Sequence, residues 1–364
     1  MVTLAERLRP TNGLNVIRLL LAVLVIVSHA PVISGLGQEP SLNGLTLGAI
    51  AVGGFFAISG YLISKSRLFQ SAGKYAWNRV LRLFPAYWAC LAFTGIVAAG
   101  IAGLWRGGWT APEGIHFVLR NFFMISPGGD SVGSTLVGLP IPNAWNGSLW
   151  TLRYEVLCYI IVGLIFSVPA FRRSKGATPA FFIVSTAASV IIHFRGDAGI
   201  AGKLALLVPF FAAGGVLMTF AHRIPSSRRL AGLSALLFVA ICLAGFGRSL
   251  AALPLAYFVI WLAGVLPKPI RDIGSTRDVS YGVYLYAFPL QQLLVIFGAP
   301  ALGLTVFVGL GIAATVPLAF ASYYFVEKPA LRLKSFSLKS LAVKSLRPKL
   351  FSFKSSRRKI RRRL

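Results

Sequence analysis

Arg18, His29, Arg79, Arg82, Glu155 and Glu327 stand within or at the ends of runs that are otherwise apolar. In a bilayer such residues cost at least about 2.5 kcal/mol each at the centre of a span, which marks them as candidates for chemistry. Arg18 and His29 are eleven positions apart. On a helix that is about 1100°, about 20° from three full turns, with a rise of about 16 Å, so both side chains face the same way. An imidazole there can take a proton from a hydroxyl. The alternative is a snorkelling anchor at Arg18 and a packing residue at His29. Arg79 and Arg82, in the order Arg-Val-Leu-Arg, share a helical face, and a guanidinium fork suits phosphate. By position alone, anchoring at a basic membrane face accounts for them equally well. Glu155 follows Arg153 closely and Glu327 precedes Lys328 and Pro329, so either can be half of a buried ion pair. His116, His193 and His222 fall near the ends of apolar runs, where solvated roles are expected. Cys90, Cys158 and Cys242 each lie inside such a run and read as packing residues, with neither a disulfide framework nor a metal site expected.

The elements that must position these residues are membrane helices. Of 364 residues, 56% are hydrophobic and 13% charged, about half the charge of a soluble domain. Lys and Arg number 37 against 9 Asp and Glu, a net charge of +28. A nucleic-acid module carries its basic residues on a polar face, not between apolar runs, so no nucleic-acid partner is expected. The fold class expected is all-α, a polytopic transmembrane bundle of about ten spans near 15–33, 46–64, 83–104, 150–169, 177–194, 203–221, 230–246, 250–266, 279–297 and 302–326. With a cytoplasmic N-terminus, 31 of the 37 basic residues fall inside, which puts both termini in the cytoplasm. Ser28-His29-Ala30 resembles a signal-peptide cleavage site, but the preceding basic region is long and cleavage would leave nine spans.

The organisation expected is a membrane domain over 1–333 and a basic, disordered cytoplasmic tail over 334–364. The tail repeats Lys-Ser and ends in an Arg-rich run; its cations suit anionic lipid. The external segment 105–149 holds Trp105, Trp109 and Trp145, suited to an interfacial belt. Within it, 115–125 is apolar but too short to span and reads as a re-entrant or surface-lying helix.

The motifs LNVIRLLLAVLVIVSHA at 14–30, FFAISGYLIS at 55–64, NRVLRLFPAYW at 78–88, NGSLWTLRYEVLCY at 146–159, VSYGVYLYAFPLQQ at 279–292 and SYYFVEKPALR at 322–332 occur in order. Together they resemble the acyltransferase type 3 family of bacterial integral-membrane O-acyltransferases, which modify surface and exported glycans. The resemblance implies a ten-helix domain in the bacterial cytoplasmic (inner) membrane. It implies transfer of an acyl group, usually acetyl, from cytoplasmic acyl-CoA (acetyl-CoA above all) to a hydroxyl of a glycan or its lipid-linked precursor. It assigns His29 as the catalytic histidine, Arg18 as its basic companion, Arg79 and Arg82 as donor-binding residues, and Glu155 and Glu327 as members of its acidic motifs. This chain departs from the family at LWTLRYE, which lacks a second acid after Glu155, and at Tyr286-Ala287-Phe288, where Trp-His-Phe is common. Some members carry an appended extracytoplasmic hydrolase-like domain, for which this chain has no room, so the acceptor is expected to meet the membrane domain directly or through a separate protein.

The chemistry expected is general-base catalysis, with His29 taking the sugar hydroxyl proton during attack on the thioester. Arg79, Arg82 and Arg18 would hold donor phosphates at the cytoplasmic mouth. The competing reading is a transporter or flippase in which Arg18, His29 and Glu155 relay protons or bind a lipid-linked sugar, but matched broken helices of that class are not evident.

Overall fold

Every apolar run forms a helix in the structure, a computed structural model that describes residues 2–8, 12–124, 131–196, 199–275 and 277–335. In chain order these are α1 (Leu14–Ser34), α2 (Leu47–Phe69), α3 (Ala72–Arg106), α4 (Ala111–Asn121), α5 (Trp150–Ile165), α6 (Ala177–Arg195), α7 (Ile200–Thr219), α8 (Arg228–Leu243), α9 (Ala252–Val265), α10 (Ser280–Ile296) and α11 (Leu304–Arg332). Six of them, α1, α2, α3, α6, α7 and α11, are long and apolar enough to cross a membrane. The remaining four at expected spans, α5, α8, α9 and α10, have 14 to 17 residues, about 21–26 Å against a hydrocarbon core of about 30 Å. Large apolar side chains cover the outward faces, with Ile183, Val184, Leu236 and Phe325 each more than 60% exposed, as lipid contact requires and water does not favour. The chain is a multi-pass membrane protein. The basic tail beyond Ser335 lies outside the described residues.

Sequence marks the helix ends physically. The side chains of Thr46, Ser71 and Ser227 accept from the backbone N–H groups of Ala49, Lys74 and Leu230 at the starts of α2, α3 and α8, and Gly35 closes α1 at φ +73°, as capping chemistry directs. Two helices differ from expectation. The third begins at Ala72, so Arg79 and Arg82 lie two turns inside it, and it carries a π-helical turn at Phe93–Ala98. The last continues through a second π-helical turn at Tyr323–Glu327 to Arg332. Widened turns of this kind recur at functional sites, and here the second one carries Glu327.

At the centre of the bundle α2 is 72% buried over its apolar window, whereas α6 at the periphery is 17% buried. Close approach of α2 and α7 depends on Gly60 and Gly214: a Cβ on Gly60 would strike the Phe211 carbonyl oxygen, and one on Gly214 would strike that of Ala57. Small residues at such crossings replace the hydrophobic drive that lipid removes. Gly60→Ala is therefore expected to destabilise the bundle by about 1–3 kcal/mol through overpacking. A melting temperature in detergent equal to the parent's would show that the crossing tolerates separation.

The loop after α1 folds back over its C-terminal end. A two-residue ladder, β1 (Ser41–Leu42) with β2 (Leu45–Thr46), turns at Asn43-Gly44, both at positive φ, the pairing a type I′ hairpin needs. Asn43 donates to the Leu243 carbonyl at 2.8 Å and Arg248 to that of Gly44 at 3.0 Å. The hairpin is thereby tied to the α8–α9 connection, which fixes where Glu39 sits.

Candidate active site

His29, one turn before the end of α1, lies with Nδ1 2.5 Å from Oε1 of Glu39. Side chains of both are about a quarter exposed, so the pair is reached from the protein surface. Ser28 supports it, donating to Glu39 Oε2 at 3.4 Å while accepting from the Gly48 N–H at 2.7 Å. Burial by itself pushes the Glu39 carboxyl up, but hydrogen bonds from His29, Thr46 and Ser28 hold it below its ordinary value. An ionised carboxylate on Nδ1 fixes the imidazole with its proton on that nitrogen, leaving Nε2 free to accept one. Phe288 of α10 packs edge-on against the ring at 5.8 Å. Its apolar ring walls the base.

Arg18, at the other end of α1, meets Asp278 at 2.5 Å. Asp278, in the loop ahead of α10, also takes Arg82 at 2.5 Å, and Arg82 reaches Glu327 at 3.3 Å. Ser280 donates to the second Asp278 oxygen through its hydroxyl at 2.5 Å and its N–H at 3.3 Å. Burial opposes ionisation of Asp278, yet Arg18 and Arg82 with the Ser280 hydrogen bonds bring it down to about 2. Thus α1, α3, α10 and α11 are locked by two guanidiniums and two carboxylates. Arg18 contacts residue 278 and His29 contacts residue 288, so α1 and α10 run alongside one another with both residues turned toward the same neighbour.

Arg79 and Arg82, expected to act as one fork, are separated. Three helical positions differ by about 60° in direction, and this turns Arg82 toward Asp278 while Arg79 lies over the Tyr159 ring at 5.9 Å. The Nε atom of Arg79 is buried with no hydrogen-bond partner among the described residues. Arg79 and Arg67 line a cavity of about 380 Å³ with Tyr75, Tyr159 and apolar side chains of α3 and α5. Arg67 is satisfied by neutral groups only, the Gly163 and Gln70 carbonyls and the Ser167 hydroxyl. Burial and then the charges of Arg79 and Arg82 push the nearby Lys334 ammonium down to about 8. The region carries uncompensated positive charge beside an apolar cleft, the combination that suits a phosphate attached to an organic chain.

Glu155 is not paired with Arg153, whose guanidinium lies over Tyr154 instead. The Glu155 carboxylate accepts from Ser59 at 2.8 Å and from Tyr159 at 2.5 Å. It shares with Arg18, Thr151, Tyr281 and Tyr284 a cavity of about 30 Å³, room for about two waters. Thr151 and the Tyr284 hydroxyl, 2.5 Å apart, close its wall. His116, His193 and His222 are exposed, the three cysteines are free and buried, and no group of metal-ligating side chains occurs among the described residues.

Glu39 and Asp278 were not singled out by the residues around them. The signal available was scarcity: they are two of only nine acids in the chain, Glu39 ten residues after the histidine and Asp278 directly before the VSYGVYLY motif.

Comparison with known proteins agrees with this site in kind. A family model described as an acyltransferase domain matches residues 11–324. The O-acetyl transferase of Shigella phage Sf6 is 28% identical over 298 residues, covering 78% of this chain and 86% of that protein. Nodulation protein 10 of Rhizobium leguminosarum bv. viciae is 29% identical over 368 residues, covering 89% of this chain and 94% of that protein. No solved structure matches. A match that takes in all six site residues but Glu327, across a helical bundle with charged groups held inside it, shows that this chain is an enzyme belonging to the acyltransferase type 3 family of membrane O-acyltransferases.

Proposed function

We propose that the protein moves an acetyl group from cytoplasmic acetyl-CoA to a hydroxyl of a cell-surface or exported glycan, or of its lipid-linked precursor, in the bacterial cytoplasmic membrane. The observation that carries the reading is the His29–Glu39 pair at 2.5 Å. Glu39 holds the imidazole so that Nε2 takes the proton of the acceptor hydroxyl while that oxygen attacks the thioester carbonyl. The carbon–sulfur bond then breaks, and the proton passes from His29 to the departing thiolate. The name of the phage relative supports acetyl as the group moved.

Donor phosphates fit Arg79 and Lys334 better than Arg82. Arg82 is already committed to Asp278 and Glu327, and with Arg18 it positions α10 beneath the base. Glu155, hydrogen-bonded by two hydroxyls, lines the route between the two ends. Because the space beside it holds only about two waters, the donor arm requires Tyr284 or Thr151 to shift. Arg79→Ala is expected to raise the donor KM about 10-fold with little change in kcat, as loss of a charge-assisted phosphate contact implies. Lysine there should restore part of it. For the parent, kcat/KM for the donor should fall as the pH rises through about 8, where Lys334 loses its charge. A donor KM untouched in Arg79→Ala would remove this residue from donor binding.

Isotope-labelled acetyl-CoA given to inverted vesicles tests the whole reading: label should enter a glycan or lipid-linked sugar, and only when the donor is on the cytoplasmic face. Single cysteines at Gly37 and Ser131 should react from outside the cell, and those at Ser71 and Ser174 only after permeabilisation. External labelling at Ser174 would reverse the orientation, and no incorporation from either face would overturn the donor.

A further inference from the structure

At the end of the bundle where α2 and α7 finish and the chain passes from α5 to α6 lies a second cavity, of about 390 Å³. It shares no residue with the Arg79 cavity and plays no part in the transfer step. Lys65, Arg172, Arg173, Lys175 and His222 line it, and no acidic residue does. Arg172 donates to the Leu68 carbonyl at 2.7 Å, which pins the connecting segment against the end of α2. Lys65, Arg173 and Lys175 are exposed and form no ion pair among the described residues. Like charges gathered around a concave surface repel one another and raise the local concentration of anions.

The surroundings decide which anion. Phe69 is 80% exposed at the rim, and Val168 and Phe171 on the short turn beside it are 45% and 49% exposed. Apolar side chains that interleave with cations at the ends of membrane helices occupy the level where headgroups meet hydrocarbon. Phe166 and Met218 continue that apolar surface into the cavity wall. We infer that this cavity is a binding site for the phosphate headgroup of an anionic phospholipid, with Lys65, Arg173 and Lys175 on the phosphate and the acyl chains lying along Phe69 and Phe171. The site requires no particular assignment of donor or acceptor, and it holds for either orientation of the chain.

Native mass spectrometry of the purified full chain, titrated with phosphatidylglycerol or with phosphatidylcholine of the same acyl chains, tests it. The parent should retain phosphatidylglycerol preferentially. The triple variant Lys65→Gln, Arg173→Gln, Lys175→Gln should bind it roughly 100-fold more weakly, at roughly fivefold per cation removed, with phosphatidylcholine binding unchanged. Arg228→Gln with Arg229→Gln, basic residues outside the cavity, should leave the preference intact and controls for general attraction by the basic chain. Should the triple variant fail to fold, Lys175→Gln alone, at an exposed position, should still show its roughly fivefold loss. Equal phosphatidylglycerol binding by the cavity variants and the parent would overturn the site. Displacement of the lipid by adenosine 3′,5′-bisphosphate or by inorganic phosphate at submillimolar concentration would overturn the lipid as its occupant.

Discussion

His29→Ala is expected to reduce acyl transfer by about 10²- to 10⁴-fold, the contribution a positioned general base supplies. Insertion and folding should be unaffected, because alanine is cheaper than histidine to place in a membrane helix. Glu39 gives the companion test. Glu39→Gln keeps the size of the side chain but can present an amide N–H to Nδ1, which favours the wrong tautomer, so the loss should approach that of His29→Ala, up to about 10⁴-fold. The double variant should be little worse than either single one, since both act through one proton transfer. Single-turnover transfer from labelled acetyl-CoA by the purified protein reads all three. Near-normal transfer by His29→Ala would remove the base from the mechanism.

The second large effect is structural. Asp278→Ala should destabilise the protein by about 3–5 kcal/mol, because removing one partner of a buried network strands the charges it compensated. Among the described residues, Arg18 would be left with no ion-pair partner and Arg82 with Glu327 alone at 3.3 Å. Asp278→Asn should cost less, since an amide oxygen can still accept from one guanidinium and from Ser280. The depressed carboxyl also sets a pH dependence with a definite sign. A group held at about 2 when folded binds its proton more readily when unfolded, near the ordinary Asp value of about 3.9. Its stabilisation is complete above that value and is lost as the pH falls toward about 2. Thermal melts of the parent and of Asp278→Ala in the same detergent should therefore converge at low pH. Equal melting temperatures at neutral pH would mean that the four-residue cluster does not hold α1, α3, α10 and α11 together.

The separation of Arg79 from Arg82 refines the chemistry attached to a motif. Spacing of three residues suggests a common face, and on an isolated helix the pair would point within about 60° of each other. Inside the bundle that difference is enough to place them in different environments: carboxylates from α11 and the loop before α10 on one side, the aromatic wall of α5 on the other. Donor binding and helix locking then become separable by mutation. A change in donor KM at Arg79 and a change in stability at Arg82 is the pattern this geometry entails.

Composition and hydropathy determined by themselves that this chain lives in a membrane, because runs this apolar cannot be covered by so few charged residues in water. They also located a helix at every expected run, since backbone groups in lipid must be satisfied within the segment. The ordered motifs identified the family, and the cost of burying charge picked out Arg18, His29, Arg79, Arg82, Glu155 and Glu327 as candidates. What they could not determine was partnership. Asp278 meets Arg18 across 260 residues and Arg82 across 196, distances over which no local periodicity carries information. Glu39 is only ten residues from His29, but its approach depends on a hairpin turned at Asn43-Gly44 and tied to the α8–α9 connection. The length of α3, the π-helical turn that carries Glu327 and the division of Arg79 from Arg82 were likewise decided by packing. The bundle brings a carboxylate to Arg82 and the Ser59 hydroxyl to Glu155 from distant parts of the chain, so the types of the site residues are written along the sequence while their pairing exists only in the assembled fold.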